Sequence, residues 1–408
     1  MKNNWEMKKL GEVLQKTENI NPIHNPDKEF IYIDVSSVNN ESFSIEKTTL
    51  LKGKDAPSRA RKLIKTNDVI FATVRPTLRR ICIITEEYNN QVCSTGYFVL
   101  RAKEHIEKSF IFYYLLTDFF DKKMQDLQKG ASYPAVTDGE IREQIIAYPK
   151  SIPEQQRIVA ILHEAFAAIA RAKENAEKNL QNARELFESY LQSAFANPGD
   201  GWEEKILGDN SLLEIVDGDR GINYPNKSDF FEEGYCLFMN TKNVRPDGLD
   251  FETTMFINEK KDKALGKGKL KRNDVVMTTR GTIGNLGIYS DDVEYDNVRI
   301  NSGMLIFRPN IEVIIPQYLF EILRSGIIKA QIKKHVSGAA QPQLPIKTLV
   351  SFTFPVPKSL PEQCAIVAKL DALSAETKKL EAIYSQKLAD LEELKKSILQ
   401  KAFEGELA

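Results

Sequence analysis

The segment SIPEQQRIVAIL at residues 151–162 returns as SLPEQCAIVAKL at 359–370, and with the flanking Pro149-Lys150 and Pro357-Lys358 ten of fourteen positions are identical. A segment written twice, 208 residues apart, points to an internal duplication, which limits the chain to architectures built from two like units. The repeat continues. LFESYLQSAF (186–195) and LKKSILQKAF (394–403) share six of ten residues at the same offset. Upstream, Trp5-Glu6, Lys8 and Leu10-Gly11 answer to Trp202-Glu203, Lys205 and Leu207-Gly208 at offset 197. NDVIFATVR (67–75) matches NDVVMTTRG (273–281) at 206, STGYFVLR (94–101) matches NSGMLIFR (301–308) at 207, and GASYP (130–134) matches GAAQP (338–342) at 208. The second copy therefore carries about nine extra residues, expected around VRPDGLDF (244–251). The chain reads as domain, helix, domain, helix.

Both linking segments carry helix signals. Ser151 stands near an N-cap, Pro153 in the first turn and Glu154 where a carboxylate suits the helix dipole. No Pro or Gly follows until NPGDG after Phe195, and the second helix runs from about Pro361 to Phe403. At ~1.5 Å per residue each is a rod of roughly 60 Å. One seam with heptad spacing fits both. It comprises Leu162, Ala165, Ile169, Ala172, Ala176, Ala183, Leu186 and Tyr190 in the first, and Leu370, Leu373, Thr377, Leu380, Tyr384, Leu391, Leu394 and Ile398 in the second. An Ala-rich face opposite a Leu- and Tyr-rich one predicts that the helices pair with each other; docking on another subunit is the alternative. The preceding units mix short β-type runs, such as FIYIDV (30–35) and DVIFATV (68–74), with one helix each, at 109–128 and 316–335. The expected fold class is α+β. Two homologous mixed α/β domains, at 1–150 and 198–357, alternate with spacer helices at 151–197 and 358–408 that form an antiparallel coiled coil.

No familiar chemistry emerges. The four histidines (His24, His105, His163, His335) form no HExxH or spaced ligand set, so no metal site is expected. There is no GxxxxGK[ST] loop, no GxSxG elbow and no Asn-Pro-Pro-Tyr-like stretch, and the glycines of RGTIGNLG (280–287) do not open a helix. Four cysteines without CxxC favour reduced thiols in a cytoplasmic protein, and no apolar run approaches a membrane span.

Charge is more informative. The net charge is −1, yet residues 52–80 hold Lys52, Lys54, Arg59, Arg61, Lys62, Lys65, Arg75, Arg79 and Arg80 against Asp55 and Asp68, a local +7. Residues 260–280 hold Lys260, Lys261, Lys263, Lys267, Lys269, Lys271, Arg272 and Arg280 against Asp262 and Asp274, a local +6. One such run is ordinarily a solvated face; recurrence at equivalent places favours two polyanion-binding surfaces. Arg75 with Thr77, and Arg280 with Thr282, sit at the ends of equivalent β runs, where an Arg can reach guanine and a Thr a phosphate or thymine methyl. The Gly-Ala-x-x-Pro loops share a frame but differ at the tips, offering Ser132 and Tyr133 in one and Gln341 and Gln343 in the other.

In the order of these elements the chain resembles, over essentially its whole length, the specificity subunit of a Type I restriction–modification enzyme. The carriers are the PEQ helix starts, the L…SxLQxAF helix ends, the W-E-x-x-x-L-G domain starts and APSRARKLIKTNDVIFATVRPT (56–77). The resemblance implies two target-recognition domains reading the halves of a gapped double-stranded DNA site, held apart by two antiparallel helices. It implies no catalysis in this chain: two methyltransferase (modification) subunits bring S-adenosylmethionine, and restriction subunits with ATP- and Mg-dependent translocation join the larger complex. It assigns Arg59, Arg61 and Arg75 to DNA contact. The second copy departs from the PSRAR spelling, so its contacts rest on position alone. A fused DNA-modifying enzyme and a coiled-coil adaptor remain as alternatives.

Overall fold

In the computed structural model, which describes residues 4–336 and 343–407, each copy opens and closes on one two-stranded ribbon. Trp5–Lys9 pairs antiparallel with Ile145–Pro149, Trp5 opposite Pro149. Trp202–Ile206 pairs with Thr353–Pro357 in the same way, Trp202 opposite Pro357. The strand that ends each domain therefore lies against the strand that begins it, and the chain passes directly into a long helix. Two compact units result, Met1–Glu177 with Ser385–Ala408, and Lys178–Tyr384.

Inside the first unit one sheet runs Thr49–Lys52, Glu29–Ile33, Val92–Ser94, Ala60–Leu63, and a second runs Ile81–Ile83, Val69–Ala72, Tyr97–Leu100. In the second unit the corresponding sheets run Phe256–Ile257, Cys236–Met239, Val298–Ile300, and Leu213–Asp217, Met304–Pro309, Val275–Thr278, Leu286–Ile288. All four residues of Val69–Ala72 and of Val275–Thr278 are buried, as expected of strands covered on both faces. The turn into each is the same device. Asn67 and Asn273 both take φ near 74°, the left-handed conformation that Asn tolerates. Asp68 and Asp274 beside them are 1% exposed, accept from the backbone N–H of Lys65 and Lys271, and meet Arg101 and Arg308 through two hydrogen bonds each. Burial pushes the Asp274 carboxyl up, although Arg308 pulls against it.

Two expectations about the domains change. The extra residues of the second copy do not lie around VRPDGLDF. The hairpin Val244–Arg245 with Gly248–Leu249 has its counterpart in the Val38↔Ile45 bridge, and the strand pair Phe238↔Arg299 answers to Tyr32↔Val92. Leu213, opposite Pro309, answers to Leu14, opposite Ala102. The offset thus passes from 199 at Leu14 to 206 at Tyr32, which places most of the insertion in the loop between Asp217 and Cys236. Each single helix is also two. Lys108–Leu115 and Asp118–Leu127 break at Thr117, whose hydroxyl donates to the Tyr114 carbonyl and accepts from the Phe120 N–H. Pro316–Arg324 and Gly326–His335 break at Ser325, whose hydroxyl caps the Ile322 carbonyl.

The long helices span Ile152–Ala196 and Leu360–Glu404. Within the first unit they run antiparallel, Arg157 donating to the Leu407 carbonyl and Lys173 pairing with Glu392. Within the second unit Arg184 pairs with Glu381. The seam holds through its middle: Leu162, Ile169, Ala176, Ala183, Leu370 and Thr377 are buried. Leu373, Leu380, Tyr384, Leu391 and Ile398 are half-buried. Leu186, Tyr190 and Leu394 are 50%, 37% and 47% exposed, so they leave it. Burial passes instead to Leu191 and Phe195, and to Leu399 and Ala402. A straight helix drifts by ~20° per heptad against a strict seven-residue template, so four heptads accumulate close to the turn of one residue.

The repeated helix starts and ends meet on the domains. Gln155 is fully buried; it accepts from the Glu107 N–H and donates to the carbonyls of His105 and Pro149. Gln363 repeats this with Ile315, Val313 and Pro357. In the first unit Trp5, Phe110 and Phe403 pack edge-on and tilted in sequence, with ring centroids 6.3 and 4.8 Å apart. In the second unit Trp202, Tyr318 and Phe195 pack edge-on at 6.4 and 5.6 Å. Each domain is thus sealed by the start of the helix that follows it and the AF end of the other helix. Among the described residues no helix is long and apolar enough to cross a membrane. Cys82, Cys93 and Cys236 are buried free thiols and Cys364 is an exposed one.

Candidate nucleic-acid interface

Beyond each buried strand the chain turns outward and is met by a segment from later in its own unit, Ala135-Val136 in the first and Gln343-Leu344 in the second. In the first unit the Thr73 N–H and hydroxyl both donate to the Gly96 carbonyl, and the Val136 N–H donates to the Thr73 carbonyl. In the second unit Thr279 does the same to Gly303, and the Leu344 N–H donates to the Thr279 carbonyl. Bridges Val74↔Ala135 and Arg280↔Gln343 complete equivalent frames. The structure therefore brings together segments that are some 60 residues apart in sequence.

On these frames the two arginines stand at different corners. Arg75 takes φ 50° where the second copy has Gly281 at φ 72°. Its N–H donates to the Pro134 carbonyl at 2.6 Å, its guanidinium reaches the Ser132 carbonyl at 3.4 Å and lies 4.9 Å from the Tyr133 ring centroid. Both Tyr133, 71% exposed, and Ser132 stand out into solvent. A left-handed arginine costs about 1–3 kcal/mol of strain, offset here by the surrounding bonds. Arg280 occupies instead the place of Val74, in the bridge itself, and is exposed beside Thr282 and Gln343. Gln341 lies outside the described residues. Thr77 is half-buried in the short turn Pro76–Leu78.

The basic runs divide. Lys62 is held by Asp138 at 2.6 Å and by the Tyr97 carbonyl. Arg79 sits between Asp118 at 3.0 Å and Asp121 at 3.1 Å. Arg80 donates to the carbonyls of Val35, Ser36 and Val38, and so fastens the neighbouring turn. Lys269 is taken by Asp262 and Asn297, while Arg272 is taken by Asp296, the Ser290 and Val293 carbonyls and the Tyr289 ring. These five side chains are tied into the fold by partners within the chain. Local charge counting missed their partners because most lie 20–76 residues away along the chain. Lys52, Lys54 and Arg59 in the first unit, and Lys260, Lys267, Lys271 and Arg280 in the second, are exposed and make no ion pair among the described residues. Arg61 is half-buried, and among the described residues its side chain donates to the Ala60 carbonyl. Arg59 adjoins the tip, since its carbonyl accepts from Thr95, next to Gly96.

One cation escaped the sequence reading. Arg220, half-exposed in the inserted loop, pairs with Asp217 at 3.2 Å and donates to the Ser302 carbonyl beside Gly303. A Cβ on Gly303 would lie 3.8 Å from that of Arg280. Arg220 and Arg280 thus flank one turn. The GDRG spelling, a glycine on each side of an Asp-Arg pair, was the available signal. Among the described residues no group of His, Cys, Asp or Glu is placed to hold a metal ion.

A family model described as the Type I restriction modification DNA specificity domain matches residues 2–179 and 199–390. A specificity subunit of the Type I restriction enzyme EcoBI of Escherichia coli is 28% identical over 208 residues, 50% of this chain and 42% of that protein. The MjaVIII specificity subunit of Methanocaldococcus jannaschii is 28% identical over 78% of this chain and 74% of its own length. The chain thus spans less than half of the first relative and about three quarters of the second. A solved chain from work on complex assembly and conformational transition of the type I R-M system superposes with TM-score 0.86 and 27% identity, covering 100% of this chain and 99% of that one. The HsdS subunit from Thermoanaerobacter tengcongensis gives TM-score 0.70 and 28% identity over 99% and 98%. The duplicated frame and both matched segments agree: the chain belongs to the Type I restriction-modification DNA specificity domain family.

Proposed function

We propose that this chain is the DNA-recognition subunit of a cytoplasmic Type I restriction–modification complex. The domains at 1–150 and 198–357 each read one half of a bipartite, gapped site. The helices at 151–197 and 358–408 set the gap and dock two methyltransferase subunits, to which restriction/translocase subunits add. The chain is not itself catalytic; S-adenosylmethionine, ATP and Mg belong to the partner subunits. The observation that carries this reading is the pair of exposed tips, Arg75 with Tyr133 and Arg280 with Gln343, each mounted in its own unit on the same kind of hydrogen-bonded frame but bearing different side chains. A duplicated scaffold with unlike tips is what reading two unlike half-sites requires, with phosphate contacts supplying affinity and tips supplying choice.

The test is co-expression with the modification subunits and mapping of methylated adenines. Two short sequence elements separated by an unread gap are expected. Methylation without such a bipartite site, or turnover of S-adenosylmethionine by the purified chain alone, refutes the reading.

A further inference from the structure

The loop that the second copy adds between Asp217 and Cys236 displays one side chain that nothing covers: Ile222, 101% exposed. Its surroundings are not loose. Asp219, 9% exposed, accepts from the Gly221 N–H at 2.7 Å and from the Gly266 and Lys267 N–H groups at 2.7 and 3.2 Å. On the other side the Asn223 amide donates to the Ala264 carbonyl, and the Tyr224 ring packs on Phe238 at 5.9 Å between centroids. Ile222 is therefore a branched apolar side chain held out into water on a braced loop, two residues from Arg220, which itself reaches the turn next to Arg280. A single fully exposed isoleucine within a polar, charged turn (Asp219, Arg220, Asn223) offers little area to an apolar protein interface. It does suit the major groove, where the only apolar feature of a base edge is the thymine 5-methyl group.

We infer that Ile222 is a specificity-determining residue of the second recognition domain and packs on the methyl group of a thymine in that domain's half-site. This rests on the recognition function proposed above. It adds a contact of a different chemical kind from those of the arginines.

The experiment uses the assembled methyltransferase complex and duplexes carrying the mapped site, in which each thymine of either half-site is replaced singly by deoxyuridine, which lacks only that methyl. With wild type, one replacement in the second half-site should weaken binding about fourfold, the effect of one buried methyl group. With Ile222→Ala the same replacement should have no effect, while replacements in the first half-site act as before. A merely structural residue would not erase the response at one base. Equal responses in wild type and variant, no response at any thymine of the second half-site, a second half-site without thymine, or loss of complex assembly in the variant would each overturn the inference. Failure of the wild-type complex to prefer its own site would instead overturn the recognition function itself.

Discussion

In the first domain Asn67 turns the chain, Asp68 is buried against Arg101, Gln155 knits the helix start to the domain, and Phe403 closes on Phe110. In the second domain Asn273, Asp274, Arg308, Gln363 and Phe195 on Tyr318 do the same. The tips share no such likeness. One has a left-handed arginine stacked on a tyrosine; the other has an arginine one place earlier, a glycine at the corner and an added loop. The buried frame tolerates little change because each polar group there has its partner fixed by geometry. The tips face water, where substitution is cheap, so they are free to diverge.

The most severe way to break the likeness is to cut the aromatic seals. Phe195→Ala should destabilise the second unit, and Phe403→Ala the first, by about 3–5 kcal/mol in each case for the buried ring lost. Phe195 is 1% exposed and Phe403 half-buried, so the first substitution should cost more. Hydrogen exchange resolved by unit checks this. If Phe403→Ala loosens Lys178–Tyr384 rather than Met1–Glu177, the crossed sealing is wrong. Next come the buried ion pairs. Asp68→Asn leaves the Arg101 guanidinium without its counter-charge and should cost about 3 kcal/mol, visible as a lowered Tm, while Asp274→Asn should cost less because Arg308 keeps Glu214 at 3.3 Å.

These frame residues also mark what the sequence could disclose. PEQ, SxLQxAF and NDV were legible as repeats because identity at a fixed offset needs no knowledge of contacts. Their roles were not: the sequence does not say that Gln155 meets Glu107 and His105, or that the last phenylalanine of one helix seals the domain before the other. The heptad seam was legible through its middle and failed at Leu186, Tyr190 and Leu394, where the drift between 3.5 and 3.6 residues per turn had accumulated. At the candidate interface, composition located the basic stretches but could not tell Arg75 from Arg80. That difference rests on carbonyls of Val35, Ser36 and Val38, more than 40 residues upstream.

A sharper test separates those two arginines. Arg75→Ala should relax the first half-site alone, removing about 1–3 kcal/mol of discrimination at one base pair, with little change in Tm. Arg280→Ala should do the same to the second half-site alone. Arg80→Ala should lower stability and leave the preferred bases unchanged. Methylated-site mapping beside thermal melting reads all three; a change in bases with Arg80→Ala would undo the division of the basic run.

The smallest effect concerns pH and again divides the tips. Glu140 accepts from the Thr137 N–H and hydroxyl and pairs with Lys129, whose backbone bridges to Ala135 across the base of the first loop. The Thr137 N–H above all, then Lys129 and the Thr137 hydroxyl, hold its carboxyl down to about 2, against an ordinary value of 4.5. A depressed carboxyl stabilises the fold fully above its ordinary value, and that contribution fades as pH falls from 4.5 towards 2. At the matching position the second copy has Thr348, which does not titrate in this range. Amide exchange of residues 129–137 should therefore accelerate over that interval relative to residues 343–348, and Glu140→Gln should abolish the difference. Salt should blunt the Lys129 part only, because an exposed ion pair is screened while the capping bonds of Thr137 are not.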